Sequence, residues 1–348
     1  MGGDQLSPDD VVDRPIDLQD AWLDADAASA HGAAPAHGDG IARHGRGHGH
    51  GHRTGRARRR IALAVGAMVV VAGVVAVATT SAGTDPTDPS GVLMPTTDGA
   101  GWHRVFSEDF AKDTPTGGFE DAYQDRFSVY HGFADTAGTG RYSASALSAH
   151  DSMLDMRLRT TAGGTPLAGG VVPLIDGQWG GQTAGRYSVR MKSDRVDGYG
   201  VAMLLWSDEN VWSQGEVDFP EGNLGSAAQL NVHCLEDPPQ KCVHYETPAS
   251  LSDWHTYTIE WTPVRMSFLI DDAVVATTTS SIPMSKMHLV VQTGSIGGRP
   301  PRSAEGSLLI DWMTIDVPAQ GAEPPATLPE GETVPDQGTW TVDDRQTG

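Results

Sequence analysis

Residues 254–278 read WHTYTIEWTPVRMSFLIDDAVVATT. Three short apolar or alternating segments lie in this stretch, Trp254–Thr262, Met266–Ile270 and Val274–Thr278. The breaks between them hold Pro263 and the pair Asp271-Asp272. A period of two places alternate side chains on one face, as in a strand with one buried side, and proline or aspartate between such runs marks turns. The pattern continues outward. Upstream lie Ser152–Arg159, Gly185–Lys192, Val201–Trp206, Glu216–Phe219 and Ala228–His233; downstream lie His288–Thr293 and Ser307–Val317. Breaks such as LIDGQWGG and DRVDGYG separate them. No dozen-residue amphipathic helix intervenes, which disfavours alternating parallel units. The segments predict an all-β fold over residues 100–317, a two-sheet antiparallel jelly-roll sandwich able to curve one sheet into a cleft for an extended polymer.

The rest of the chain reads differently. Its 348 residues carry a formal charge of −21, which argues against nucleic acid as a partner, since phosphate binding needs a clustered cationic face. Residues 1–60 begin acidic and turn Gly/His/Arg-rich; HGAAPAHGDGIARHGRGHGHGH (31–52) holds six of the 13 histidines. This segment has no apolar periodicity and reads as a disordered tail rather than a chelating site at His48, His50 and His52. Arg56, Arg58, Arg59 and Arg60 then precede the uncharged run Ile61–Gly83. Its apolar part, 61–78, would span roughly 27 Å as a helix, close to a hydrocarbon core. That run predicts a single-pass cell-membrane anchor, with residues 1–60 cytoplasmic and the remainder outside by the positive-inside rule. A cleaved signal peptide ending near Ala76-Val77-Ala78 is the alternative; sixty residues ahead of the apolar run are unusually long for one. Residues 84–99 read as a linker and 318–348 as a disordered, acidic, Pro-rich tail.

The chemistry concentrates in WSQGEVDFPEG (212–222). On a strand, Glu216 and Asp218 share a face, whereas Glu221 falls on the opposite one. A β-bulge near Phe219-Pro220 would return Glu221 to that face, and proline is at home in a bulge. Three acids on one face raise one another's pKa values. Retaining glycoside cleavage uses that splitting, because one carboxylate must attack while a second stays protonated.

GEVDFPE resembles the G-E-[IV]-D-x-x-E active-site strand of glycoside hydrolase family sixteen, the laminarinase-like retaining endo-β-glycanases with a concanavalin A-like jelly roll. VFSEDF (105–110), AGRYSVRMK (184–192), the 254–272 strand pair, HLVVQTGSIGG and LLIDWMTIDV resemble further strands of that family. The resemblance implies Glu216 as nucleophile, Glu221 as acid/base and Asp218 as the assisting residue. The chain departs from it at Gly200–Leu204, where glucan-cleaving relatives often read W-P-A-x-W, and at Asp272 in place of a turn glycine. With that tryptophan absent, Trp212, Trp206 and Trp179 are the candidate sugar platforms. His233 occupies a position where relatives often carry a histidine beside the acid/base, and Gln292 is a further candidate on the same face. Trp254, Trp261 and Trp312 lie within strand patterns and are expected in the core.

Two cysteines exclude a multi-bridge scaffold. Outside the membrane, Cys234 and Cys242 are expected to form a disulfide around CLEDPPQKC; a zinc site with His233 and His244 lacks a second ligand pair of the usual spacing. No metal or cofactor is expected, and a structural calcium is not legible in these residues. The expected protein is a monomeric, membrane-anchored, extracellular retaining endo-β-glycanase acting on a polysaccharide, β-1,3-glucan-like, by double displacement. An envelope-glycan transglycosylase of the same fold and a catalytically silent carbohydrate-binding module are the alternatives.

Overall fold

The computed structural model describes residues 88–236 and 240–321. Its strands begin with β1 (Trp102–Glu108), β2 (Phe127–Val129), β3 (Arg141–Tyr142), β4 (Leu147–His150), β5 (Met153–Thr160) and β6 (Pro166–Ala168). They continue with β7 (Gly170–Pro173), β8 (Gly185–Ser193), β9 (Tyr199–Ser207), β10 (Glu216–Asn223), β11 (Ala227–His233) and β12 (Lys241–Ser250). The last five are β13 (His255–Thr262), β14 (Arg265–Ile270), β15 (Ala273–Thr278), β16 (Met287–Ser295) and β17 (Glu305–Pro318). A ten-stranded sheet runs β15-β14-β13-β8-β17-β5-β6-β3, with β1 added on β17 and β4 on β5; a seven-stranded sheet runs β12-β11-β10-β9-β16-β7-β2. Apart from the short parallel contact of β3 with β6, the ladders between these strands are antiparallel. The all-β two-sheet sandwich is as the sequence predicts.

Local chemistry explains the joints. Ile270 pairs with Ala273, so Asp271 and Asp272 form a two-residue hairpin loop, with φ of 49° and 65°. That is the left-handed pair of a type I′ turn, whose twist suits a hairpin, and aspartate tolerates it better than most residues. Asp271 is further fixed by the backbone N–H of Thr256 at 2.9 Å and by His255 Nδ1 at 2.6 Å.

The core fills the space between the sheets. Val189, Met191, Tyr257, Ile259, Trp261, Phe268 and Met313 face Val201, Met203, Leu205, Val217, Phe219, Val232 and Leu289. A second apolar cluster joins Ala202, Leu204, Trp206 and Val290 to Tyr130 and Tyr142, with Phe133 and Trp212 packed at its margin. Alternate residues of β9 thus belong to the two clusters, so this strand is buried on both faces. That is why Tyr199–Ser207 reads as a nearly continuous apolar run.

Several features differ from the sequence reading. The short strands β2, β3, β4, β6 and β7 lack enough residues to show a period. β12 is the terminal strand of its sheet and buries little besides Val243 and Thr247, so its pattern is too polar to stand out. Trp254 is not a core residue: it precedes β13, half-buried, with Lys192 Nζ 5.1 Å from its ring centroid. Trp261 and Trp312 are buried.

Residues 88–99 pack on the domain rather than only spacing it. Val92 accepts from Trp312 Nε1 at 2.8 Å, Ser90 from Arg190 Nε at 2.5 Å, and Pro95 from Arg104 at 2.8 Å. Buried indole and guanidinium donors need such acceptors. Among the described residues no helix is long and apolar enough to cross a membrane. The tail 1–60, the run Ile61–Gly83 and residues 322–348 lie outside the described residues.

Candidate active site

Gly215 precedes β10, the strand that carries the three carboxylates. It follows a single 3-10 turn, Trp212–Gln214, and has φ of 107°. A Cβ there would approach both Leu235 Cδ2 and Pro283 Cγ to 2.9 Å, so glycine is required for the chain to enter β10.

Along β10, Glu216 pairs with Trp206, Asp218 with Leu204 and Glu221 with Ala202 on β9. Between Asp218 and Glu221 the register slips on both neighbouring strands, so Phe219 and Pro220 together oppose the single residue Met203. This is the extra residue of a bulge, and it sets Glu221 on the face of Glu216 and Asp218 while Phe219 turns into the core. The Phe219-Pro220 peptide is cis, a detail the sequence does not announce.

All three carboxylates are deeply buried, at 1%, 1% and 3% exposure for Glu216, Asp218 and Glu221. Burial and the neighbouring Asp218 push the Glu221 carboxyl up to about 8, although Lys241 and a hydrogen bond from Asn231 act the other way. Burial, then Asp218 and Glu221, raise Glu216 well above the ordinary carboxylate range. Three such acids cannot all ionise near neutrality, and the protons they retain belong to the set.

Polar partners come from the next two strands. His233 Nε2 lies 3.3 Å from Asp218 Oδ2 and 3.8 Å from Glu216 Oε2. Asn231 Nδ2 donates to Glu221 Oε2, and His244 Nδ1 donates to Asn231 Oδ1 at 2.7 Å. Lys241 Nζ is 3.9 Å from Glu221 Oε2. Asn231 stands two residues before His233 on β11, so the period of two already placed it on this face. Lys241 and His244 carried no such signal, because β12 was not legible as a strand.

The other expected site residues occupy distinct places. Trp212 is half-buried, with its ring 5.9 Å from that of His233 and edge-on to Trp206 at 4.7 Å. Trp206 is fully buried and donates its indole N–H to Asn210 at 2.9 Å, so it forms floor rather than rim. Gln292 is buried on β16 and accepts from the Tyr142 hydroxyl at 2.8 Å. Trp179 is 42% exposed and packs on the ring of His288 at 4.6 Å, two strands across from β10. His288 is itself held by Asp208 at 2.8 Å, a pair the sequence reading missed.

Glu216, Asp218 and His233 offer ligand atoms within 4.8 Å of one another, the grouping among the described residues spaced for a metal ion. The zinc alternative at the cysteines is excluded by a different fact. Cys234 and Cys242 are disulfide-bonded, with Cα atoms 5.0 Å apart, and no thiolate remains. In the chain-entropy picture so short a loop contributes about 2–3 kcal/mol. Reduction is therefore expected to lower stability by about that amount, read by urea midpoints with and without reductant. Equal midpoints would show that the bridge constrains nothing.

Residues 181–314 match Glycosyl hydrolases family 16. The chain carries a family 16 glycosyl hydrolase domain. That match takes in β10 and the strands on either side of it, and therefore the whole carboxylate site. The family 16 domain is also similar to a curated beta-glucanase of Acetivibrio thermocellus, 26% identical over 176 residues, which cover 46% of this chain and 52% of that protein. A second beta-glucanase from the same organism is 25% identical over 157 residues, covering 41% of this chain and 46% of that protein. The chain thus spans about half the length of the curated relatives it matches. Among solved structures, the endo-1,3-beta-glucanase of Streptomyces sioyaensis superposes with a TM-score of 0.51 at 20% identity, covering 64% of this chain and 99% of that one. The catalytic domain of the Thermotoga petrophila RKU-1 endo-1,3-beta-glucanase (laminarinase) gives 0.51 at 14%, covering 62% and 98%. These superpositions establish the shared fold.

Proposed function

We propose that the family 16 domain is a retaining endo-β-glycanase that hydrolyses a β-1,3-glucan-like polysaccharide by double displacement. The observation that carries this reading is the bulged β10, with Glu216, Asp218 and Glu221 on one face and the Glu221 carboxyl pushed up to about 8. At neutral pH Glu221 is a proton donor, as the departing glycosidic oxygen requires. Only one of the two glutamates need keep its proton: Glu216 attacks the anomeric carbon as the carboxylate, the C–O bond breaks, and the Glu221 proton passes to the leaving sugar. Glu221, now a carboxylate, takes a proton from water, whose oxygen displaces Glu216 and regenerates both groups.

Asp218 contributes by hydrogen-bonding Glu216 and holding it in orientation, with His233 closing the other side of the pair. The half-buried Trp212 flanks His233 and offers a ring against which a sugar can stack; Trp179 offers a second surface further across the sheet. The arginine-flanked run Ile61–Gly83 supports placing the domain outside the cell on a membrane anchor. Protease added to intact cells should then remove the domain and leave residues 1–60 protected.

The substrate test is a panel of β-1,3-glucan, mixed-linkage β-glucan, cellulose and xylan, followed by viscosity and by reducing ends. The expected result is a rapid viscosity fall on the β-1,3-linked members with few new ends. Binding without cleavage on every member would replace this reading by a binding module. Products longer than the substrate when acceptor sugars are added would replace it by a transglycosylase.

A further inference from the structure

The disulfide joins the residues that follow two site side chains. His233 precedes Cys234 and touches Asp218 and Glu216; Lys241 precedes Cys242 and reaches Glu221. His233 and Lys241 are register partners across β11 and β12, and the ladder is irregular at this point. The Cys234 N–H also bonds the carbonyl of Gln240 at 2.6 Å. A bridge at the mouth of this hairpin therefore fixes the backbone from which Lys241 extends.

Glu221 faces few charges. Its own strand supplies Asp218 and Glu216, whose carboxyl Glu221 helps to raise; β9 opposes it with Ala202, and β11 supplies the amide of Asn231. Behind Asn231 stands His244, whose pKa burial lowers, and which serves Asn231 as a neutral donor. From β12 comes Lys241, the one cation within 4.0 Å of Glu221 among the described residues.

We propose that Lys241 is the positioning residue that sets the ionisation of Glu221, and that the Cys234–Cys242 bridge holds it in place. The proposal rests on the reading of Glu221 as acid/base and adds to it a control on when that acid gives up its proton. A cation at this distance favours the carboxylate, so it opposes the upward push of burial and Asp218. Without it Glu221 would hold its proton more tightly and be a weaker donor, further from the operating pH at which proton transfer in both directions is efficient. Opening the bridge would free the start of β12, the terminal strand of its sheet.

The test is a carbon-13 NMR titration of the Glu221 side-chain carboxyl in the full chain, beside the pH profile of kcat/KM. Lys241→Met should move the Glu221 titration and the basic limb upward by about one pH unit. Lys241→Arg should restore both, and reducing the wild-type bridge should shift them in the same upward direction. A Lys241→Met protein titrating as wild type overturns the proposal. A shift in Lys241→Met with none on reduction overturns the part assigned to the bridge. Should Lys241→Met fail to fold, Lys241→Gln takes its place and is read by the same two outcomes. A merely structural lysine would change the melting temperature and leave both pH readouts in place. Because the NMR titration needs no turnover, a chain that cleaves no glycan can still uphold it, and an active chain with an unmoved titration refutes it alone.

Discussion

Glu216→Ala is expected to lose turnover on β-1,3-glucan by on the order of 10⁴-fold or more, since no covalent intermediate can form. Glu221→Ala should lose roughly 10²–10⁴-fold on the same polymer, the usual weight of general acid catalysis. The contrast lies in how each loss is repaired. An aryl glycoside with a good leaving group needs no protonation, so Glu221→Ala should form its glycosyl intermediate on that substrate at close to the wild-type rate. Azide should then capture the intermediate as the β-glycosyl azide. In Glu216→Ala azide enters the space of the missing carboxylate and attacks from the other face, giving the α-glycosyl azide. Asp218→Asn should fall between the two, because Asp218 hydrogen-bonds Glu216 and makes no bond to sugar. Chromatography of the azide products checks the assignment, and an exchange of the two anomers would reverse the roles of the two glutamates.

The site should also cost the fold stability, and increasingly so with rising pH. Glu221 holds its proton to about 8 in the folded protein, against an ordinary 4.5. Between those values the native state keeps a proton that the unfolded chain has released, so unfolding stability falls as pH rises through that window. Below about 4.5 both states are protonated and the penalty vanishes; above about 8 it is complete. Each pH unit of difference corresponds to about 1.4 kcal/mol, so the full penalty is on the order of 5 kcal/mol. Glu221→Gln removes it and keeps an oxygen for the Asn231 amide. It also relieves Glu216, which Glu221 helps to raise. The variant should therefore melt with wild type near pH 4 and on the order of 10 °C above it near pH 8.5. Matched melting at both pH values would mean that Glu221 is an ordinary solvated carboxylate.

The alternating runs of β5, β8, β13, β14 and β17 made the sandwich legible, because one buried face leaves a period of two in the sequence. β12 was not legible, since an edge strand needs little apolar surface, and with it went Lys241 and His244. In the site, Glu216 and Asp218 followed from strand geometry, and Pro220 gave the hint that a bulge would carry Glu221 round to join them. The depth of burial did not follow. Trp206 and Gln292 read as surfaces for sugar, yet their polar atoms are engaged by Asn210 and Tyr142, partners 4 and 150 residues distant. The Trp206 contact is local but depends on a loop that leaves no periodic trace; the Tyr142 contact depends on a segment folding across the sheet. The contacts of Ser90 and Val92 with β8 and β17 were hidden for a related reason: the segment has a linker's composition, and it is the buried donors of Arg190 and Trp312 that recruit it.

In the proposed mechanism Glu216 and Glu221 work from one face of β10 through a covalent glycosyl–enzyme. That mechanism is tested most directly by proton NMR of the first product released from a β-1,3-glucan oligosaccharide, recorded before mutarotation mixes the anomers. The β anomer is expected at the earliest times, with α appearing only at the rate of mutarotation. An initial α anomer would contradict it, because a single displacement by water needs no nucleophilic Glu216.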